Sequence, residues 1–226
     1  MMISPEGYYE YHLKGKNAGQ IMTAIRGLKR EINRLLQILE DPEYPNRLDS
    51  IDPDESIQLW CTRLYLERAK QALADAGGIY VYTKAEEKAL AFEKDLESIQ
   101  SLTFSIGGFF GGHEIRTYTI EGEEVHLHVD HLLRIVPPDE YGEVECFLTK
   151  AALVDGLREL HLNEWRKEYN NPCVLDGTQW ELDIRFSCGR RALKFYGSNA
   201  YPYNFDKLLQ LLEIPEDEDE YLEEDE

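Results

Sequence analysis

The sequence predicts an α+β protein: an N-terminal helical hairpin or bundle, then a mostly antiparallel sheet of about five strands with two helices. Three observations carry that expectation. Apolar residues recur in steps of three and four up to about residue 98. From Ile99 onward the period changes to strict alternation. The last fourteen residues, EIPEDEDEYLEEDE, carry ten acids and no base, a composition that cannot bury a core. The expected divisions are therefore a helical domain over 1–98, an α+β domain over 99–213 and a disordered acidic tail over 214–226.

Taken in order, Ser4-Pro5-Glu6 has the form of a helix start, with Ser as N-cap and Pro in the first turn, and Gly15 suits its end. A long helix is expected from about Ala18 to Glu40, because Ile21, Ile25, Leu28, Ile32, Leu35 and Leu39 fall on one stripe. The stripe matches a coiled-coil seam for under three heptads, so packing within the chain is the expectation, as a monomer or a weak dimer. Asp41-Pro42 and Tyr44-Pro45 end it. Asp52-Pro53-Asp54-Glu55 is expected to open the next helix, with Asp52 as cap, running through Ile57, Trp60, Cys61, Leu64 and Leu73 to Gly77-Gly78. A short connection makes the two an antiparallel hairpin. Thr83-Lys84-Ala85-Glu86 is a capping box for a third, charged helix.

SLTFSIGGFF, HEIRTYTIEG and EEVHLHVDHLL then read as strands, with Glu121-Gly122 turning the last two into a hairpin. VPPDEYGEVE reads as a loop. Thr149 caps a helix expected through Trp165, with Leu153, Leu157 and Leu160 on one face. In TQWELDIRFS, Trp180, Leu182, Ile184 and Phe186 alternate with Glu181, Asp183 and Arg185, which assigns an inner and an outer face. Cys188-Gly189 turns into the strand RALKFY. In KFYGSNAYPYNF, Gly197 is expected to take positive φ at a sharp exit, and Asn204 to cap a last helix over Phe205–Leu212.

The 226 residues carry 24 Lys and Arg against 44 Asp and Glu, a net charge of −20, half of it in the tail. The body outside the tail is modestly acidic, and since phosphate neutralisation needs clustered Lys and Arg, direct DNA or RNA binding is disfavoured. No apolar run reaches the length of a membrane span, and MMISPEGYYEYH lacks the pattern of a signal peptide, which predicts a cytoplasmic location with no membrane attachment. The four cysteines form no CxxC pair and read as free thiols.

Few residues point to chemistry. His126 and His128 alternate on one strand face, and His113 on a neighbouring strand could complete a metal site; the competing reading is a solvated strand face. Gly107 to Gly112 (GGFFGG) lacks the helix and the Lys of a phosphate loop and reads as a hairpin turn or bulge, with Phe109 and Phe110 packing at its base. No residue pattern marks a nucleophile or a catalytic base, and no cofactor is expected. Arg26, Lys29, Arg30 and Arg34 form the one cationic edge, and Tyr201 and Tyr203 flank a rigid turn. These six are the expected partner-binding residues.

The segments GYYEYHLKGK, IMTAIRGLKREINRL, WCTRLYLERAKQA, GGFFGG, DGTQWELDIRF and YGSNAYPYNF resemble those of a group of uncharacterised proteins from Gram-positive gut-type bacteria. The resemblance implies neither an activity nor functional residues. The favoured expectation is a non-catalytic interaction protein with an unknown protein partner. The alternatives are an acidic inhibitor or nucleic-acid-mimicking decoy of a nucleic-acid-handling defence protein, and a small metal-dependent hydrolase built on the histidine strand.

Overall fold

Local capping and one apolar stripe organise the N-terminal half. The computed structural model describes residues 3–41, 44, 53–108, 111–132, 142–174 and 177–214. The chain divides into two compact units, Met1–Glu86 and Glu87–Glu226. In the first, Ser4 Oγ accepts from the Gly7 N–H and starts α1 (Pro5–Tyr8), which runs into a π-helical turn over Tyr9–Leu13 and ends before Gly15 at φ 75°. The second helix, α2 (Ala18–Leu39), opens on a capping box absent from the sequence reading: Asn17 Oδ1 accepts from the Gln20 N–H, and Gln20 Oε1 accepts from the Asn17 N–H.

Its stripe buries Ile21, Ile25, Leu28, Leu35 and Leu39. The first three pack with Cys61, Tyr65, Ala69, Ala72 and Leu73 of α3 (Glu55–Asp75). Gly78, just past α3, lies against Ala18, so the two helices run antiparallel. The C-terminus of α3 is a Schellman motif: the Gly78 N–H bonds to Leu73 O and the Gly77 N–H to Ala74 O, with Gly77 at φ 73°. At the other end Asp54, not Asp52, is the N-cap; its side chain accepts from the Ile57 N–H at 2.8 Å. Asp52 lies outside the described residues. Glu55 is buried and accepts from the Tyr44 hydroxyl instead of reaching back to a cap.

Thr83 and Glu86 form the expected box at the start of α4 (Lys84–Asp95), the helix inside which the two units divide. A 3-10 turn, Leu96–Ser98, leads into the sheet.

Among its described residues the second unit is built on seven strands: β1 (Ile99–Gly108), β2 (Gly112–Glu121), β3 (Glu124–Leu132), β4 (Gly142–Val144), β5 (Glu168–Asn170), β6 (Thr178–Phe186) and β7 (Leu193–Ser198). Their order is β4-β3-β2-β1-β6-β7-β5, antiparallel throughout except for β5 against β7. The sheet therefore has two strands more than expected. Both additions, β4 and β5, are three residues long, too short to show a period. The glycine-rich stretch joins β1 to β2 as a hairpin, with Gly107 opposite His113 and Gly108 opposite Gly112. Phe109 and Phe110 lie outside the described residues.

One face of the sheet carries Leu102, Phe104, Tyr118, Leu127, Trp180, Leu182, Ile184 and Phe195, all buried against α5 (Lys150–Glu159) and α6 (Phe205–Leu211). Thr149 caps α5 as expected, accepting from the Ala152 N–H. The helix nevertheless stops at Glu159 instead of Trp165. His161 takes φ 49°, and Leu160, Leu162 and Trp165 all reach the core. On a continuing helix Leu160 and Leu162 would point to nearly opposite sides, so burying both requires the chain to leave the helix.

The corner after β7 also departs from expectation. Gly197 is outside the positive-φ region; Asn199 takes it instead, at φ 53°. Gly197 is required because the Trp180 indole lies directly on it: a Cβ there would sit 1.9 Å from Trp180 Nε1. Asn204 occupies the N-cap position of α6 but makes no capping bond with its side chain. The expectation for the acidic tail falls outside the described residues except at Ile214.

A candidate docking cleft at the sheet edge

The strand alternation that places Val125, Leu127 and Val129 in the core puts His126, His128 and Asp130 on the opposite face. His126 and His128 thus share a face as expected. His128 Nδ1 lies 3.2 Å from Glu143 and its Nε2 lies 3.3 Å from Asp130, while His126 Nε2 is 3.9 Å from Glu121 and 4.0 Å from Glu124. His113 is on the same face but does not join them. It pairs with Leu132, whereas His128 pairs with Thr117 four residues further along β2, a separation of roughly 13 Å. Among the described residues no group of three or more His, Cys, Asp or Glu side chains is placed to hold a metal ion.

The cationic edge is half neutralised within its own unit. Lys29 is held by Glu86 at 3.0 Å and by the Tyr80 hydroxyl at 3.4 Å. Arg34 clamps Glu31 through two hydrogen bonds of 2.9 and 2.6 Å. Arg26 and Arg30 remain exposed and make no ion pair among the described residues. Tyr201 is 40% exposed, with its ring centroid 4.8 Å from that of Phe205, and Tyr203 is half-buried. Of the six expected partner-binding residues, four lie on α2 of the first unit and two at the corner after β7 of the second.

A site the sequence reading overlooked lies at the edge formed by β4. The stretch read there as a loop contains a strand, with Val144 opposite Leu127 and Glu143 opposite His128. Beside it opens a cleft of about 580 Å³. Val125, Leu127, Val144, Cys146, Phe147 and Leu148 supply its apolar lining, and Glu123, Glu124, Glu143 and Glu145 supply four carboxylates beside His126, with no Lys or Arg among the described lining residues. Phe147 is 75% exposed, an unusual cost for a Phe at the rim of a cleft. On its side away from β3, β4 pairs with no strand among the described residues, so it is an edge of the described sheet. The signal was present in the sequence as the short alternation Glu143-Val144-Glu145-Cys146, too brief to separate from a loop.

The root of the acidic tail is fixed nearby. The Arg116 guanidinium donates to Leu212 O and, at 3.1 Å, to Glu213 O, and the Tyr118 hydroxyl donates to Leu212 O. Burial pushes the Tyr118 phenol up to about 12, so that donor keeps its proton at any physiological pH. Burial also pushes up the Cys146 thiol of the cleft wall, with the Glu213 carboxylate adding to the rise and the Leu148 N–H and Arg116 opposing it.

No family model, no curated protein and no solved structure matches this chain, so the site is read from its own geometry.

Proposed function

We propose that the chain is a non-catalytic protein-interaction module whose docking site is the cleft beside β4. The observation that carries this reading is the combination of a strand at the edge of the described sheet with a cleft lined by apolar and acidic residues and an exposed Phe147 at its rim. Such an edge offers main-chain hydrogen bonds to an extended segment while side-chain pockets sort its residues. The partner is a protein in the cytoplasm; direct binding of DNA or RNA is disfavoured by the charge. No helix among the described residues is long and apolar enough to cross a membrane.

A photo-crosslinking residue at position 147 tests the reading, with the same residue at exposed Tyr11 as the control. A defined adduct from 147 and none from 11, in cells that make the protein, supports the module. Equal adducts at both positions, or none at 147, would sink it.

A second reading has one specific observation in its favour. Ten carboxylates in residues 213–226 begin at a backbone fixed beside an acidic cleft. That arrangement fits an acidic decoy occupying a nucleic-acid-handling protein. Salt-sensitive co-purification with such a protein, lost on deleting 213–226, would select it.

A further inference from the structure

We infer that the occupant of the β4 cleft is an extended, basic segment of a partner protein, with Lys or Arg alternating with aliphatic residues, added to the sheet as an eighth strand. The inference rests on the reading of the cleft as a protein-docking site and specifies its ligand.

Two independent features define that ligand. The first is the edge. An incoming strand on β4 would alternate its side chains between the two faces of the sheet. On β4 itself, Val144 shares a face with buried Leu127, and Glu143 shares the opposite face with His128. A segment of period two would therefore set one row of side chains beside Val144 and the other beside Glu143. The second feature is charge. Glu123, Glu124, Glu143 and Glu145 line the cleft with no Lys or Arg among the described lining residues, where His126 is the one basic side chain, and Glu213 is fixed by a bond from Arg116 to its carbonyl. A neutral or acidic strand would desolvate these carboxylates without compensation, whereas a basic one pairs with them and is steered inward by the field. The aromatic ring of Phe147 at the rim also suits the stem and head of a Lys or Arg side chain.

The test uses the full chain and a fluorescein-labelled heptapeptide alternating Lys and Val, with a Glu/Val counterpart and a Lys/Val peptide interrupted by Pro. The Lys/Val peptide should bind, and its affinity should fall roughly tenfold when salt is raised from about 50 to about 300 mM. Hydrogen exchange at Gly142–Val144 should slow on binding. Glu143→Gln with Glu145→Gln should weaken binding about tenfold, and Phe147→Ala, an exposed position that leaves folding intact, about fivefold. Removing residues 215–226 should weaken it by a smaller factor and flatten the salt dependence. Equal binding of the Glu/Val or Pro-containing peptide overturns the inference. So does binding that leaves exchange at Gly142–Val144 unchanged. If position 147 crosslinks a partner in cells while no Lys/Val peptide binds, the basic ligand is wrong and the docking module stands. If neither is seen, both fall.

Discussion

The Trp165 indole N–H donates to Asn204 Oδ1 at 3.0 Å, and the same Asn204 side chain donates through Nδ2 to the Leu160 carbonyl at 2.9 Å. Asn204 is buried, and it ties the segment leaving α5 to the start of α6 inside the aromatic cluster of Trp165, Trp180, Phe195 and Phe205. Asn204→Ala removes one partner from each bond and leaves a buried indole N–H and a carbonyl unpaired. The expected loss is about 3 kcal/mol. Asn204→Asp should cost a similar amount, because it keeps the acceptor for Trp165 but loses the donor to Leu160 and buries a charge. Urea unfolding of the two variants checks this. A helix cap alone would predict that Asp is neutral, so the Asp variant separates the two roles.

Two glycines should respond oppositely to alanine. At Gly197 a Cβ would sit 1.9 Å from Trp180 Nε1 and 2.2 Å from Cε2, in a packed aromatic cluster that has nowhere to move. Gly197→Ala should cost about 3 kcal/mol through overpacking. At Gly27, in the middle of α2, a Cβ would meet nothing within 4 Å. Gly27→Ala should add about 0.5–1 kcal/mol by removing backbone freedom from the unfolded chain. Thermal melts of the two variants against the parent decide both signs.

These sites show what the sequence made legible. The α2 stripe and the alternation of β6 survive in the structure because each is a long pattern read against one packed surface. The Thr83/Glu86 box and the Thr149 cap were legible because the cap hydroxyl and the backbone N–H it accepts from are three residues apart. What escaped depends on distant partners. Asn204 is 39 residues from Trp165 in sequence, and nothing local says that its amide turns inward. The demand for glycine at 197 comes from the indole of Trp180 on the neighbouring strand, not from its own turn. The cleft needs β3 beside a three-residue strand that has no period of its own. His113 was placed with His126 and His128 by strand membership, and the register of β2 against β3 then separated them.

Tyr201 tests whether the corner after β7 contributes to docking. Its ring packs on Phe205 while 40% of the residue stays exposed. Tyr201→Ala should cost about 1 kcal/mol of stability from the lost ring contact. It should leave binding at the β4 cleft unchanged, in contrast to Phe147→Ala. A fivefold or greater loss of partner affinity in Tyr201→Ala, measured on protein that melts cooperatively, would move the interface to this corner.

The ion pair of Lys29 and Glu86 gives the helical unit a defined acid limb. Burial raises the Glu86 carboxyl, but hydrogen bonds from the Tyr80 hydroxyl, the Thr83 N–H, Lys29 and the Thr83 hydroxyl outweigh it and hold the group at about 2, against an ordinary value of 4.5. A carboxyl depressed on folding contributes stability that is present above pH 4.5 and is lost as pH falls toward 2. For Lys29 burial acts downward, yet its bonds to Glu86 and Tyr80 prevail and raise it above 10.5, so its share is lost only on the alkaline side. Between those limits Glu86→Gln should be less stable than the parent by roughly 2 kcal/mol, reduced from the full linkage value because water reaches the rim of the pair. The difference should shrink below pH 4.5 and vanish near pH 2. Paired unfolding curves of parent and variant at a series of pH values isolate this carboxyl from the other acids, since those titrate identically in both proteins. A difference that stays constant down to pH 2 would mean that Glu86 acts through shape and not through its charge.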